Sequence, residues 1–136
     1  MRVVANDSGV AGTHLLGDLY GCDAARLTNR EFLERLAVEA ARRAGATVCD
    51  VASVNFPRRS PTQPSGITVV AVLAESHLSI HTYPEAGYAA VDIFTCGESC
   101  DTGPGYAYIK EQLAPASDSV TAIVRGTPRP ALSAAQ

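Results

Sequence analysis

The chain has 136 residues, of which 46% are hydrophobic and 18% are charged, and its formal net charge is −3. This composition is typical of a single folded domain, and the acidic balance without a basic run argues against nucleic acid as a partner. No apolar stretch approaches the roughly 20 residues of a membrane span, and residues 1–12 lack the apolar block of a secretory signal. We therefore expect a cytoplasmic protein that does not contact membranes.

Hydrophobic periodicity and turn residues divide the chain into six strands and two helices. The first helix is the clearest element, because Thr28 and Glu31 have the spacing of a capping box and Gly45 follows the last turn. Residues 56–66 are rich in Pro and Gly and predict a loop long enough to border a site. The tail from residue 127 is expected to be disordered. In chain order, the predicted elements are strand 13–22, helix 28–44, strands 46–55, 67–74, 77–83 and 89–96, helix 103–114 and strand 118–125.

Closely connected strands with two helices favour an α+β fold. We predict a two-layer α/β sandwich, in which the helices cover one face of a mostly antiparallel sheet. Residues 1–136 would form a single domain.

Residues 77–83 and 89–96 predict a hairpin with a polar face. Because side chains alternate along a strand, Leu78, Ile80 and Thr82 would face the core. With the turn centred between Ala86 and Gly87, the opposite face pairs His77 with Cys96, Ser79 with Phe94, and His81 with Asp92. Two histidines, an acid and a thiol indicate a functional site, while the alternative is a solvated sheet face.

The cysteines predict neither a disulfide scaffold nor a metal site. They are Cys22, Cys49, Cys96 and Cys100. They are few for a disulfide-stabilised domain, and a cytosolic setting would keep them reduced. Cys96 and Cys100, taken with His77 and His81, lack the tight paired spacing of structural zinc sites, although a small zinc protein stays an alternative.

The run from Ala74 to Gly97 resembles the self-processing site of the small prokaryotic S-adenosylmethionine decarboxylase proenzymes. The similarity rests on Glu-Ser-His at 75–77 and Phe-Thr-Cys-Gly at 94–97, and weaker similarity extends from Gly12 to about Ile123. It includes Gly-x-His-Leu-Leu at 12–16 and Leu-Tyr-Gly-Cys-Asp at 19–23. A motif of this length is far more specific than a short pattern.

The resemblance implies a proenzyme that cuts its own backbone between Glu75 and Ser76. The products would be a β chain of residues 1–75 and an α chain of residues 76–136. Ser76 would attack the carbonyl of Glu75, and elimination would convert the serine into a pyruvoyl cofactor at the head of the α chain. By the same resemblance, His81 transfers the proton in the elimination and Thr68 supports processing.

The resemblance also implies a decarboxylase that acts on S-adenosylmethionine and supplies aminopropyl groups for polyamines such as spermidine. The pyruvoyl group derived from Ser76 would form a Schiff base with the substrate amine and take up electrons as carbon dioxide leaves. Cys96 would return a proton to the α-carbon. Phe56, Tyr83 and Glu85 fall at substrate positions, where aromatic faces suit adenine and the sulfonium cation and a carboxylate suits ribose hydroxyls.

Departures from the family pattern leave a second substrate class open. They are Thr13 in place of a usual arginine, Asp18 in place of glutamate, Val69 in place of a frequent glycine, and a longer segment between Phe56 and Thr68. The alternative is the same machinery acting on L-arginine or L-ornithine, with Asp18 or another carboxylate near the pocket holding the guanidinium or ammonium group.

The family also implies a homodimer. A two-layer sandwich leaves one sheet face uncovered, and we expect two protomers to pack through it and build their sites together. A non-catalytic homologue is a further alternative, and it would stay a single chain of 14.2 kDa.

Overall fold

The computed structural model describes residues 11–58 and 60–126. The elements are β1 (Gly12–Tyr20), α1 (Ala24–Leu27), α2 (Arg30–Arg43), β2 (Val48–Asn55), β3 (Ile67–Leu73), β4 (Ser76–Tyr83), β5 (Tyr88–Cys96), α3 (Thr102–Leu113) and β6 (Ser117–Arg125), and a 3₁₀ turn over Pro84–Ala86 joins β4 to β5. The tail predicted from residue 127 lies outside the described residues. None of the helices within the described ranges is long and apolar enough to cross a membrane.

All six strands form one sheet in the order β2-β3-β4-β5-β1-β6, and every neighbouring pair is antiparallel. Helices α2 and α3 pack on one face of this sheet, so the predicted two-layer α/β sandwich is confirmed. The core between the layers contains Leu33, Leu36, Ala40, Ile67, Val69, Leu78, Ile80, Val91, Ile93, Ile109 and Leu113. We call the uncovered side of the sheet the open face.

Every predicted element is present, with ends within two residues of the observed ones. The predicted capping box of the first helix was wrong, because Thr28 does not cap it. Asn29 caps α2, because its side-chain oxygen accepts a hydrogen bond from the backbone N–H of Phe32 at 3.1 Å. Thr28 instead ends the short helix α1 and donates to the carbonyls of Ala24 and Ala25. Gly45 follows α2 with a φ of 83°, as its position predicted.

The predicted hairpin faces are confirmed, but the pairing of β4 with β5 was wrong by two positions. His77 pairs with Phe94, Ser79 with Asp92 and His81 with Ala90. The reason is the turn, in which Pro84–Ala86 forms one 3₁₀ turn and Gly87 adopts a φ of 62°, so that Tyr83 and Tyr88 close the hairpin. A shift of two keeps each side chain on its face and changes only its neighbours.

Candidate active site

The peptide that joins Glu75 to Ser76 lies in a tight turn between β3 and β4. Leu73 pairs with Ser76, so Ala74 and Glu75 alone make the connection. Glu75 has a φ of 65°, which is the left-handed region that a side chain disfavours. Such a backbone conformation costs on the order of 1 kcal/mol. Ser76 is half-buried, and its hydroxyl donates to the carbonyl of Ala74 at 3.3 Å.

The thiol of Cys96 lies beside this turn. Cys96 ends β5, and its Sγ donates to the carbonyl oxygen of Glu75 at 3.7 Å. The contact depends on Gly12, because a Cβ there would stand 3.2 Å from the sulfur and 2.5 Å from the carbonyl oxygen of Thr95. Burial, followed by the charge of Glu75, raises the pKa of the Cys96 thiol above its ordinary value of 9.0. The thiol is therefore protonated at neutral pH and can serve as a proton donor.

His81 and Thr68 pair at a different place on the open face. Thr68 lies opposite His81 in the β3–β4 ladder, and Oγ1 of Thr68 is 2.9 Å from Nδ1 of His81. His81 is five positions beyond Ser76 on β4, a separation of roughly 16 Å along an extended strand. The residues predicted to act together in processing are therefore far apart within one protomer.

The predicted substrate residues Phe56, Tyr83 and Glu85 line one cavity of about 260 Å³. The loop after β2 supplies one wall, and the 3₁₀ turn after β4 supplies the other. Gly66 lets the walls approach, since a Cβ there would meet the carbonyl oxygen of Thr82 at 2.5 Å. The cavity is at the same end of the sheet as His81.

Asp18 lies near this cavity without lining it. It is in the same row of the sheet as His81, because both pair with Ala90 from opposite sides. The hydroxyl of Tyr88 donates to the Asp18 carboxylate. This hydrogen bond, with burial, raises the pKa of Tyr88, so its hydroxyl stays protonated. The ring of Tyr88 stacks between Tyr20 and Tyr83, at centroid distances of 5.4 and 5.3 Å.

A polar cluster in the middle of the open face contains His77, Ser79 and Asp92 of the predicted polar hairpin face and adds His14, to which the sequence analysis gave no role. Nε2 of His14 is 3.0 Å from Oδ1 of Asp92, and the hydroxyl of Ser79 donates to Oδ2 of Asp92 at 3.4 Å. The rings of His14, His77 and Phe94 contact one another, with centroid distances between 5.7 and 5.9 Å. The motif Gly-x-His at 12–14 was the available signal, but it gave no partner for the histidine.

The predicted site residues thus lie at two ends of the open face. We call Glu75, Ser76 and Cys96 the turn end, and we call the region of Thr68, His81 and the cavity the loop end. Large apolar side chains are exposed around them, namely Leu16, Tyr20, Val54, Val72, Tyr83 and Ile123. A larger cavity of about 570 Å³ lies on the helix side, between α2 and α3, and contains none of the predicted site residues.

The fold is a small α/β sandwich, and its similarity to a decarboxylase of known structure places the chain in the decarboxylase class. The profile of the S-adenosylmethionine decarboxylase family matches residues 13–126, which is most of the chain. The chain therefore belongs to the S-adenosylmethionine decarboxylase family.

Similar proteins agree with this assignment. An S-adenosylmethionine decarboxylase proenzyme of Caldicellulosiruptor saccharolyticus is 47% identical over 115 residues, covering 85% of this chain and 88% of the relative. A proenzyme of the same name from Acetivibrio thermocellus is 45% identical, with the same coverage. The crystal structure of the adenosylmethionine decarboxylase from Aquifex aeolicus superposes with a TM-score of 0.77 at 36% identity, covering 88% of this chain and 94% of that one. These relatives give no support to the arginine or ornithine alternative.

Proposed function

We propose that the protein is a self-processing decarboxylase that converts S-adenosylmethionine into its decarboxylated form and carbon dioxide. The observation that carries the proposal is the Cys96 thiol at 3.7 Å from the carbonyl of Glu75, on a two-residue turn where Glu75 has a φ of 65°. The product would supply aminopropyl groups for polyamines, and we place the enzyme in the cytoplasm.

In processing, the hydroxyl of Ser76 attacks the carbonyl carbon of Glu75, and the amide becomes an ester. Removal of the α-proton of residue 76 then breaks the bond between its Cβ and the ester oxygen, and the main-chain carboxylate of Glu75 leaves as the new end of the β chain. Water replaces the nitrogen of the resulting dehydroalanine, ammonia leaves, and the α chain begins with a pyruvoyl group. The thiol of Cys96 is positioned to donate a hydrogen bond to the carbonyl that gains negative charge in the first step. A histidine such as His81 suits the proton removal.

The residues at the turn end fit this group. Ser76 is the first residue of β4, so cleavage frees a chain end without removing a strand interior. A pyruvoyl group formed at residue 76 would supply a carbonyl for the substrate amine and an acceptor for the electron pair that carbon dioxide leaves behind. Cys96 would then supply the proton that replaces the carboxylate on the α-carbon. The raised pKa of the Cys96 thiol favours this role, because the thiol stays protonated.

Substrate recognition belongs to the cavity at the loop end. Phe56 and Tyr83 offer aromatic faces for adenine and for the sulfonium cation, and Glu85 offers a carboxylate for the ribose hydroxyls. Asp18 would act indirectly, by positioning Tyr83, because its carboxylate accepts a hydrogen bond from Tyr88 and the ring of Tyr88 stacks on Tyr83.

We further propose that the active form is a homodimer through the open face. Proton transfer requires heavy atoms about 3 Å apart, whereas His81 is roughly 16 Å from Ser76 in one protomer. A twofold axis that lies in the interface, parallel to the sheet and perpendicular to β4, would bring the loop end of one protomer to the turn end of its partner. The exposed apolar side chains of this face would be covered in the same contact.

An intact-mass spectrum combined with carbon dioxide release tests the proposed function. We expect two chains that divide between Glu75 and Ser76, the second with a pyruvoyl end, and gas release from S-adenosylmethionine but not from arginine or ornithine. Ser76→Ala should give one uncleaved, inactive chain of nearly unchanged mass. A wild-type protein that stays a single chain of 14.2 kDa and releases no gas would contradict the proposal.

A further inference from the structure

Arg125 brings a positive charge to the turn end. It is the last residue of β6 and pairs with Gly12 on β1, which in turn pairs with Cys96 on β5. Because Gly12 has no side chain, the Arg125 side chain can cross above β1. Its guanidinium carbon lies 4.5 Å from the centroid of the Phe94 ring on β5. The cation therefore lies two strands from its own backbone, at the ring of Phe94 two residues before Cys96.

No carboxylate neutralises this cation within the described residues. The ion pairs among residues 11–58 and 60–126 join other cationic groups to acids and do not include Arg125. Burial and the charge of Glu75 raise the pKa of the Cys96 thiol, and the charge of Arg125 acts in the opposite direction. A guanidinium stacked on an aromatic face keeps its in-plane N–H groups free for a planar anion.

We propose that Arg125 binds the α-carboxylate of the substrate, an inference that rests on the proposed function. In an α-amino acid, the amine and the carboxylate are attached to the same carbon. A substrate whose amine is joined to the group at residue 76 must therefore place its carboxylate within a few ångströms of the turn end. Cys96 contacts the carbonyl of Glu75 and lies in the same row of the sheet as Arg125, with only Gly12 between them, so it links the place of attachment to the cation.

This role gives Arg125 two consequences for the reaction. A bidentate contact fixes the rotation of the carboxylate about the α-carbon, so that the same bond is broken in every turnover. The product has lost the carboxylate and therefore the contact, which favours its release over that of the substrate. Arg125 is in this sense a specificity residue for amino acids that still carry the carboxylate.

The test compares ligands with and without the carboxylate. For Arg125→Gln, we expect the KM for S-adenosylmethionine to rise about 10- to 100-fold, as for the loss of a charge-assisted hydrogen bond. The inhibition constant of decarboxylated S-adenosylmethionine should change less than about twofold, because that ligand lacks the group. Arg125→Lys should lie between, since it keeps the charge and loses the fork. Arg35→Gln, on the exposed side of α2, is the matched control and should change neither constant.

Equal weakening of both ligands, in either variant, would overturn the inference and leave Arg125 a structural role. Loss of cleavage in both Arg125 variants would also overturn it, because the residue would then act in processing. Calorimetric dissociation constants for the same two ligands test the inference without catalysis, after borohydride treatment to prevent turnover. Arg125→Gln should weaken binding of S-adenosylmethionine but not of its decarboxylated form. A wild-type protein that releases no carbon dioxide would contradict the proposed function, while the ratio of these two constants would still test Arg125.

Discussion

The backbone of Glu75 is strained at the peptide that we propose is cut. At a φ of 65°, a residue with a side chain has on the order of 1 kcal/mol of backbone strain that glycine would not have. Cleavage frees the backbone of Glu75 and releases this energy. The strain therefore raises the free energy of the precursor relative to the products.

Glu75→Gly should consequently cleave more slowly than Glu75→Ala. Both variants remove the carboxylate, but only glycine removes the strain, so alanine is the matched control. We expect about a fivefold difference in the rate of processing, measured by mass spectrometry of freshly made precursor. Equal rates would mean that the strain does not contribute to the barrier.

Cys96→Ser tests the proton donor. Processing should continue, because the new serine hydroxyl can still donate to the carbonyl of Glu75 and because Ser76 and His81 are unchanged. Carbon dioxide release should fall by on the order of 100-fold, the usual contribution of a positioned general acid. Since burial raises the pKa of the Cys96 thiol, wild-type activity should persist at alkaline pH where an ordinary cysteine begins to lose its proton, and it should decline only at still higher pH. Cys49→Ser, at an exposed position on β2, should behave as wild type; normal turnover in Cys96→Ser would remove Cys96 from the mechanism.

At the residue scale, the sequence could predict functional groups but not their contacts. Glu75, Ser76 and Cys96 were found by their motif, and the structure brings all three together. The left-handed backbone of Glu75 had no signal, because glutamate rarely adopts it. Arg125 was missed because its side chain contacts Phe94, which lies two strands away in the sheet. The hydrophobic pattern of a single strand does not reveal the order of the strands.

At the scale of the elements, periodicity predicted every strand and the two long helices but not the short helix α1, and the remaining errors arose at turns. Alternation identified the buried face of β4 correctly, since a shift of two leaves the faces unchanged. The residue pairs between β4 and β5 were predicted wrongly, because the length of the turn after Tyr83 fixes the register. Pro84 and Gly87 form a tighter turn than the sequence analysis expected. The helix cap was misplaced because Thr28 and Asn29 are both good capping residues.

The contact between α2 and α3 depends on a missing side chain. A Cβ on Gly105 of α3 would lie 2.8 Å from the carbonyl oxygen of Ala40 and 3.2 Å from the Cβ of Ala44, both on the α2 side. The two helices can therefore lie against each other at this point only if residue 105 is glycine. This close approach holds the helical layer together above the core.

Gly105→Ala should destabilise the protein by about 1–2 kcal/mol, because the overlap exceeds the gain in helix propensity. Urea unfolding measures the change. The matched control is Ala107→Ser on the exposed side of the same helix, which should change stability by less than about 0.5 kcal/mol. Increased stability of Gly105→Ala would mean that α3 can shift away from α2 at no cost.

At the scale of the whole molecule, the two groups of residues that we propose form one site cannot meet within one protomer. The turn end and the loop end belong to the same open face, yet β4 separates Ser76 from His81 by roughly 16 Å. A monomer would leave the proton transfer and the binding cavity distant from the serine. A dimer with twofold symmetry would instead form two complete sites, each with the turn end of one chain and the loop end of the other.

Mixing two inactive variants distinguishes these arrangements. Ser76→Ala has no serine to cleave, and His81→Ala lacks the proton-transfer group, so each should be inactive alone. In a mixed dimer, Ser76 of the His81→Ala chain faces the intact His81 of the Ser76→Ala chain, which restores one site of two. Since half of randomly assembled dimers are mixed, co-expression should recover about a quarter of wild-type activity, with cleavage only in the His81→Ala chain. If His81 acts within its own chain, no mixture of the two variants can be cleaved, and activity should stay at the level of the separate variants.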